Sequence, residues 1–266
     1  MRHSAAHLLA YAVRTLFPGT QVAIGPVIEN GFYYDFAFKA PLSEKDFSRI
    51  EQKMNELKKK DFKFEQRWVS VDEAKKLFAD EPYKLEIIDE ISKGEREDFG
   101  HKGEVSIYQS GEFADLCKGP HVASSKEIGA IKLLSLAGAY WKGNEKNAML
   151  TRVYGTCFAT KEELDKYLWQ LEEAKKRDHK KLGKELGLFV FSDLVGSGLP
   201  LWTPKGTIIR ELLNDLVWKL RREKGYQKVT IPHITKKELY ETSGHWAKFQ
   251  NELFKINTRE GHLFAM

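Results

Sequence analysis

Two groups of residues in this chain have the types and spacing to do chemistry. His3 and His7 stand four residues apart; on a helix such a pair shares one face, about 6 Å apart. Asp115, Cys117 and His121 fall within Asp-Leu-Cys-Lys-Gly-Pro-His, where Gly119-Pro120 marks a turn that lets Cys117 and His121 face one point. Imidazole, thiol and carboxylate together supply acids, bases and metal ligands. Spacing alone leaves two readings open. The histidines and the cysteine fit a four-coordinate zinc site. Alternatively they line a metal-free hydrolytic pocket in which a histidine orients water and Asp115 binds a polar substrate group. Zinc does not require Asp115, which favours the second reading slightly. Taken singly, a histidine pair is often surface decoration and a buried cysteine is usually an inert small hydrophobe; the weight comes from both motifs sharing one domain.

Other residues carry less. Lys84, in Glu-Pro-Tyr-Lys, reads by default as a solvated surface lysine. Gly138-Ala139-Tyr140-Trp141-Lys142-Gly143 reads either as a substrate-facing loop or as a set of aromatic core anchors. Lys175 to Lys184 holds six Lys or Arg in ten residues, which suits phosphate contact but suits a solvated helix face better. Gly196-Ser197-Gly198 lacks the third glycine of a dinucleotide fingerprint, and the sequence contains no Gly-Lys-Ser/Thr phosphate loop.

The elements that must position these residues follow from periodicity. Arg2 to Phe17 has apolar residues at helical spacing and is stopped by Pro18-Gly19. Gln21 to Phe38 reads as two strands around Glu29-Asn30-Gly31, with Asn-Gly expected to take positive φ at both turn positions. A helix is predicted over 43–60, opened by a Ser43/Asp46 capping pair, and a strand through Phe62, Phe64, Gln66 and Trp68. Ser70 and Glu73 box a short helix to Phe78. Residues 81–91, 105–109, 128–137 and 149–158 are predicted as strands. Thr160 and Glu163 open a helix running to about Leu186, charged and exposed like a connector. Beyond it come a strand at 188–191, a helix over 205–224, a strand at 228–231 cut by Pro232, and a helix capped by Thr235 and Glu238. The irregular mixture gives an α+β fold. Three parts are expected: 1–158, a linker helix over 159–187, and 188–266. The last part ends inside a strand and is too open-ended for a self-contained mixed domain, so a truncated chain is expected.

Composition narrows the class. With 42% hydrophobic and 30% charged residues, the chain of 266 residues and 30.7 kDa is ordinary globular material rather than a disordered one. Two cysteines cannot make a disulfide framework and fit a reducing compartment. The apolar stretch from Ala5 to Leu16, interrupted by His7 and Arg14, is too short for a membrane span and lacks a signal-peptide layout, so a cytoplasmic protein is expected. A net charge of +5 mildly favours a polyanionic partner.

Longer motifs carry a family resemblance. Arg2-His3-Ser4-Ala5-Ala6-His7-Leu8-Leu9 resembles the opening of the editing domain of bacterial threonyl-tRNA synthetases, and residues 23–35 resemble its following hairpin. Residues 115–121, 138–143 and 152–156 resemble its later segments. Leu171 to His179 resembles the family's connecting helix. Leu201 to Gly206, with Gly225 to Val229 and Pro232, resembles the first signature motif of class II synthetases, a helix and strand that build a dimer interface in that fold. The resemblance therefore implies an editing domain, a linker helix and a partial antiparallel-sheet catalytic domain. The intact enzyme ligates threonine to tRNA with ATP, and this part hydrolyses mischarged Ser-tRNA. Ligation is not expected here, because the ATP-binding motifs, magnesium, the catalytic zinc and the anticodon-binding domain belong beyond Met266. The implied partners are threonine tRNA and, in the intact enzyme, a second copy, with no membrane.

The editing positions implied by the resemblance are His3, His7, Lys84, Asp115, Cys117 and His121. His3 and Lys84 position the attacking water, Asp115 recognises the seryl group or a ribose hydroxyl, and His7, Cys117 and His121 hold the ester. No metal or cofactor is implied for editing, although related alanyl-type domains bind zinc through a comparable set. A zinc-dependent deacylase and a non-catalytic tRNA-binding or dimerisation remnant are the alternatives. His3 lies near a chain end, where fraying would misplace the water.

Overall fold

A computed structural model describes residues 1–96, 99–101, 103–196, 198–249 and 252–266. The chain divides into two compact units, Met1–Lys176 and Arg177–Met266. Among the described residues, no helix is long and apolar enough to cross a membrane.

The first unit is α+β, as expected. Helix α1 (Arg2–Leu16) is buried over ten consecutive residues, Ser4 to Val13. It is therefore a central helix enclosed on all sides, not one with a single apolar stripe. It lies on an antiparallel sheet ordered β1 (Gln21–Val22), β3 (Gly31–Ala37), β9 (Met149–Phe158) and β8 (Ala130–Tyr140), with β2 (Val27–Ile28) also paired to β3. Phe32, Tyr34 and Phe36 alternate inward from β3, and the core joins them to α1 and to Phe47, Ile50, Met54 and Leu57 of α2 (Phe47–Lys59). The Ser43/Asp46 capping pair forms, at the head of a short 3-10 turn leading into α2.

A second antiparallel sheet carries β4 (Phe64–Ser70), β5 (Gly100–His101), β6 (Glu104–Ser110) and β7 (Phe113–Leu116), with β6 central. Against its inner face pack α3 (Val71–Leu77) and α4 (Pro82–Ser92), through Ala74, Ile87, Ile88, Val105 and Ile107. Ser70 Oγ accepts from Glu73 N at 3.2 Å, as its spacing predicts. Helix α5 (Lys161–Lys176) closes the unit, seating Tyr167 on Phe158 with ring centroids 5.0 Å apart.

Several expectations are corrected. Residues 81–91 are not a strand but α4. The β-branched run of Ile87, Ile88 and Ile91 favours a strand locally, whereas Pro82 at the first helical position and burial of Lys84, Ile87 and Ile88 on one face settle it as a helix. The β2–β3 hairpin forms, but Ile28 pairs with Gly31, so Glu29-Asn30 make the turn, and neither Asn30 nor Gly31 has positive φ. Gly31 is required for a different reason: a Cβ there would lie 2.3 Å from the Gly155 carbonyl oxygen on β9.

The second unit contains α6 (His179–Glu185), the β10 (Phe189–Val190) and β11 (Leu201–Trp202) pair, and α7 (Pro204–Glu223). It continues with β12 (Thr235–Lys236), α8 (Lys237–Thr242), α9 (His245–Phe249), β13 (Lys255–Asn257) and β14 (Leu263–Ala265). The predicted connector is not one helix: Asp178 accepts hydrogen bonds from Lys180 N and Lys181 N and starts α6 afresh. Residues 159–176 fall in the first unit and 177–187 in the second. No strand forms at 228–231, because Val229 and Ile231 are exposed and no neighbouring strand pairs with them among the described residues. Thr235 lies in β12 rather than capping α8. Gly196 and Gly198 both take positive φ as a Gly-rich turn requires, while Ser197 lies outside the described residues.

Candidate active site

Three elements of the first unit bring the predicted residues together. Helix α1 supplies His3 and His7 on one face, and their rings meet edge to face at 5.2 Å. Strand β7 supplies Asp115, and the turn that follows it supplies Cys117 and His121. Helix α4 supplies Lys84. The turn is fixed by Gly119, whose φ of +72° suits glycine and whose absent Cβ would lie 2.4 Å from the Tyr108 hydroxyl oxygen.

The first turn of α1 is tied down. Arg2 donates to Glu29 O and to Cys157 O, and its guanidinium lies over the Phe158 ring. Ser4 Oγ lies 3.0 Å from His121 Nδ1 and accepts from Val122 N at 3.1 Å. His3 is thereby anchored instead of frayed.

The site has two halves. In one, Cys117 Sγ lies 3.2 Å from both His3 Nε2 and His121 Nε2, and Gly119 N donates to it at 3.3 Å. The His121 ring stacks between Phe64, at 5.0 Å, and His3, at 4.2 Å. In the other half, Lys84 Nζ donates to Asp115 Oδ1, and Tyr34 donates to Asp115 Oδ2 at 2.6 Å. Lys84 also reaches the Tyr34 hydroxyl at 3.3 Å. His7 Nε2 links the halves, 3.6 Å from Asp115 Oδ2, while its Nδ1 is buried without a hydrogen-bond partner among the described residues. A cleft of about 310 Å³ opens onto His3, His7, Lys84, Asp115 and Cys117, walled by Ile24, Val27, Leu116 and Phe99.

Lys84 is therefore not a surface lysine; its side chain is 2% exposed. Sequence reasoning missed Tyr34 and Ser4. Tyr34 alternates inward with Phe32 and Phe36 and looks like one more core aromatic; only its hydroxyl, bonded to Asp115, marks it as part of the site. Every other predicted site residue is present in the one cluster.

Electrostatics set the protonation states. Burial lowers His3, lowers His7 well below the ordinary histidine value with His3 and Lys84 adding to it, and brings His121 down to about 2 with His7 and His3 adding. Burial also pushes the Cys117 thiol up to about 12. Near neutral pH the cluster therefore holds neutral imidazoles and a protonated thiol. A stability consequence follows. The unfolded chain takes up protons on these histidines below about pH 6.5, and the folded site refuses them. Their contribution is complete above that pH and is lost as the pH falls. His7 alone gives a slope that approaches about 1.4 kcal/mol per pH unit as the pH falls to about 5.5. Urea midpoints should drop between about pH 7 and pH 5.5, and less so in a His7→Phe variant; equal slopes in the two proteins would contradict this.

The donor set also meets the requirements of a metal site. One ligand atom from each of His3, His7, Cys117 and His121 lies within 4.8 Å of all the others. Cysteine sulfur and histidine nitrogen are the usual zinc donors, and the Ser4 hydroxyl on His121 is the kind of outer partner that orients a ligating ring.

Comparison with known proteins finds relatives along the chain. Residues 105–154 match the family described as the threonyl and alanyl tRNA synthetase second additional domain. The chain is 48% identical over 260 residues to a threonine–tRNA ligase of Gloeobacter violaceus, covering 96% of this chain and 40% of that protein. It is 50% identical over 256 residues to one of Oleidesulfovibrio alaskensis, covering 96% and 38%. Against one of Dehalococcoides mccartyi it is 46% identical over 266 residues, covering 100% and 44%. The chain thus spans about two-fifths of the length of the curated relatives it matches. Along essentially its whole length the chain is a homologue of threonine–tRNA ligases, and its residues 105–154 match the second additional domain of threonyl and alanyl tRNA synthetases.

Proposed function

We propose that the first unit is a proofreading esterase that removes serine from mischarged threonine tRNA. The observation that carries this is the arrangement of a buried Lys84–Asp115 pair beside a cluster of neutral histidines, both opening onto one small cleft. His3, neutral and at the cleft, takes a proton from water as the water oxygen attacks the ester carbonyl carbon. Lys84, held by Asp115 and Tyr34, still has N–H capacity to orient that water or the oxyanion. The bond from the carbonyl carbon to the ribose oxygen then breaks, and the proton is passed to that oxygen. Among the described residues Asp115 is the carboxylate that lines the cleft, and it is assigned to the seryl ammonium or a ribose hydroxyl.

Selection rests on size. One methyl group is worth only about 1–3 kcal/mol in an apolar pocket, so a synthetic site admits some serine, and a second, smaller site clears it. A cleft of about 310 Å³ with an Ile24, Val27 and Leu116 wall suits the smaller ester. Ligation of threonine, ATP binding and dimerisation through the class II motif are assigned to the longer relatives' architecture and not to this cleft.

The cysteine–histidine geometry favours a second reading. His3, His7, Cys117 and His121 would hold a zinc ion, which would supply Lewis-acid polarisation of the ester. The test is deacylation of Ser-tRNA and Thr-tRNA by this chain, with and without a chelator, beside a His7→Ala/Cys117→Ala variant. Selective Ser-tRNA cleavage that resists chelation and is lost in the variant is expected. Loss on chelation, restored by zinc, would establish the second reading. Binding of tRNA without cleavage would leave a non-catalytic module.

A further inference from the structure

Helix α4 carries Lys84 into the site. Ile87 and Ile88 are its buried apolar residues, with Tyr83 and Ile91 partly buried beside them. Polar moorings add to that packing. At its N-terminal end Glu81 accepts from Val22 N of β1 at 2.9 Å and pairs with Arg14 of α1 at 3.2 Å. Along its outer side the turn between β8 and β9 takes over. Trp141 Nε1 donates to Glu86 Oε2 at 2.6 Å, and Lys142 Nζ bridges Glu86 Oε1 and Glu90 Oε1. The Trp141 ring is 5% exposed and meets Tyr83, the neighbour of Lys84, edge to face at 5.1 Å.

The turn is built to stay in place. Lys142 has φ +55°, a left-handed conformation that costs a non-glycine residue energy and persists only when its surroundings enforce it. Trp141 N donates to Ala148 O at 2.9 Å, and Asn147 Nδ2 donates to Trp141 O at 3.0 Å. An isolated surface ion pair is worth little. This one joins a buried indole N–H to a lysine shared by two carboxylates one helical turn apart, so it fixes both the rotation and the axial position of α4. Neither Trp141 nor Lys142 lines the cleft.

We propose that Trp141 and Lys142 are positioning residues: through Glu86 and Glu90 they set α4 so that Lys84 Nζ stays on Asp115. The kinetic part of this proposal rests on the esterase reading; the structural part does not, and the experiment separates them. Lysine acylation by acetic anhydride, read peptide by peptide, reports the accessibility of each amine. Lys84 is shielded in the parent chain. Lys58, which donates to Gly129 O at 2.8 Å and lines no part of the cleft, is the internal control. In Trp141→Phe and Lys142→Met, acylation of Lys84 is expected to rise about tenfold while Lys58 is unchanged. Lys142→Arg, which keeps the cation, should restore protection.

In deacylation of Ser-tRNA the same two variants should lose between about 10-fold and 100-fold in kcat with KM little changed. Unchanged Lys84 acylation in both variants would overturn the proposal, as would a rise matched at Lys58, which signals general loosening. If the parent chain leaves Ser-tRNA intact, the esterase reading falls, and the acylation pattern still decides whether the turn moors α4.

Discussion

Replacing Lys84 with methionine is expected to destabilise the first unit by about 3–5 kcal/mol. Lys84 and Asp115 side chains are 2% and 3% exposed, so neither charge has water to fall back on. Removing the cation leaves a buried carboxylate with the Tyr34 hydroxyl as its hydrogen-bond donor and a neutral His7 Nε2 3.6 Å away, neither of which compensates the charge. The penalty is the uncompensated charge, not the pair's own net contribution, which desolvation largely cancels. A double Lys84→Met/Asp115→Leu variant should therefore recover most of the loss. Urea unfolding of the parent, both single variants and the double variant measures this as a cycle. A single variant within about 1 kcal/mol of the parent, or a double variant no better than the worse single, would contradict it. All three variants should fail to hydrolyse Ser-tRNA, the double one while remaining folded.

His3→Ala should show the opposite balance. His3 stands in the first turn of α1 and is only partly buried, so its loss should move stability by about 1 kcal/mol or less. As the group assigned to take the water proton, its loss should lower single-turnover hydrolysis about 10²–10⁴-fold. The pH dependence has a defined sign. Burial lowers His3 below the ordinary histidine value, so the imidazole is already neutral at pH 7. The parent rate should be level through neutral pH and fall only on the acid side, and the variant should lose that acid limb. A rate reduction under about tenfold with the limb intact would remove His3 from the proton-transfer role.

Much of the site was legible because its chemistry is written in local spacing. His3 and His7 at i,i+4 needed only a helix, and Arg2 to Leu16 declares one. Asp115, Cys117 and His121 needed only a turn, and Gly119-Pro120 supplies it. The capping residues Ser43 and Ser70 opened elements where their spacing placed them. What stayed hidden depends on tertiary neighbours. Lys84 looks like any surface lysine until α4 turns it onto Asp115. The same segment reads as a strand because isoleucines carry high strand propensity, and packing beside α3 and β6, with Pro82 at the helix start, overrides that. Tyr34 cannot be told from a core aromatic without seeing what its hydroxyl meets. Gly31 reads as a positive-φ turn residue, whereas its real constraint is a carbonyl on a strand more than a hundred residues away in sequence.

The cleft is assembled from parts of unequal malleability. Its reactive imidazoles are aimed by α1, a helix enclosed from Ser4 to Val13, where a change of one methylene disturbs the whole unit. Its wall at Ile24, Gly25 and Pro26 is irregular chain between β1 and β2, tied back by Asp35 N to Ile24 O and Tyr33 N to Pro26 O. Gly25 is fixed, because a Cβ there would lie 2.1 Å from the Tyr34 ring, but Val27, 47% exposed at the cleft, accepts substitution far more readily than a packed helix. Divergence can thus reshape which ester enters while leaving the reacting groups where they are. The scaffold allows its selectivity to drift and holds its reactivity fixed.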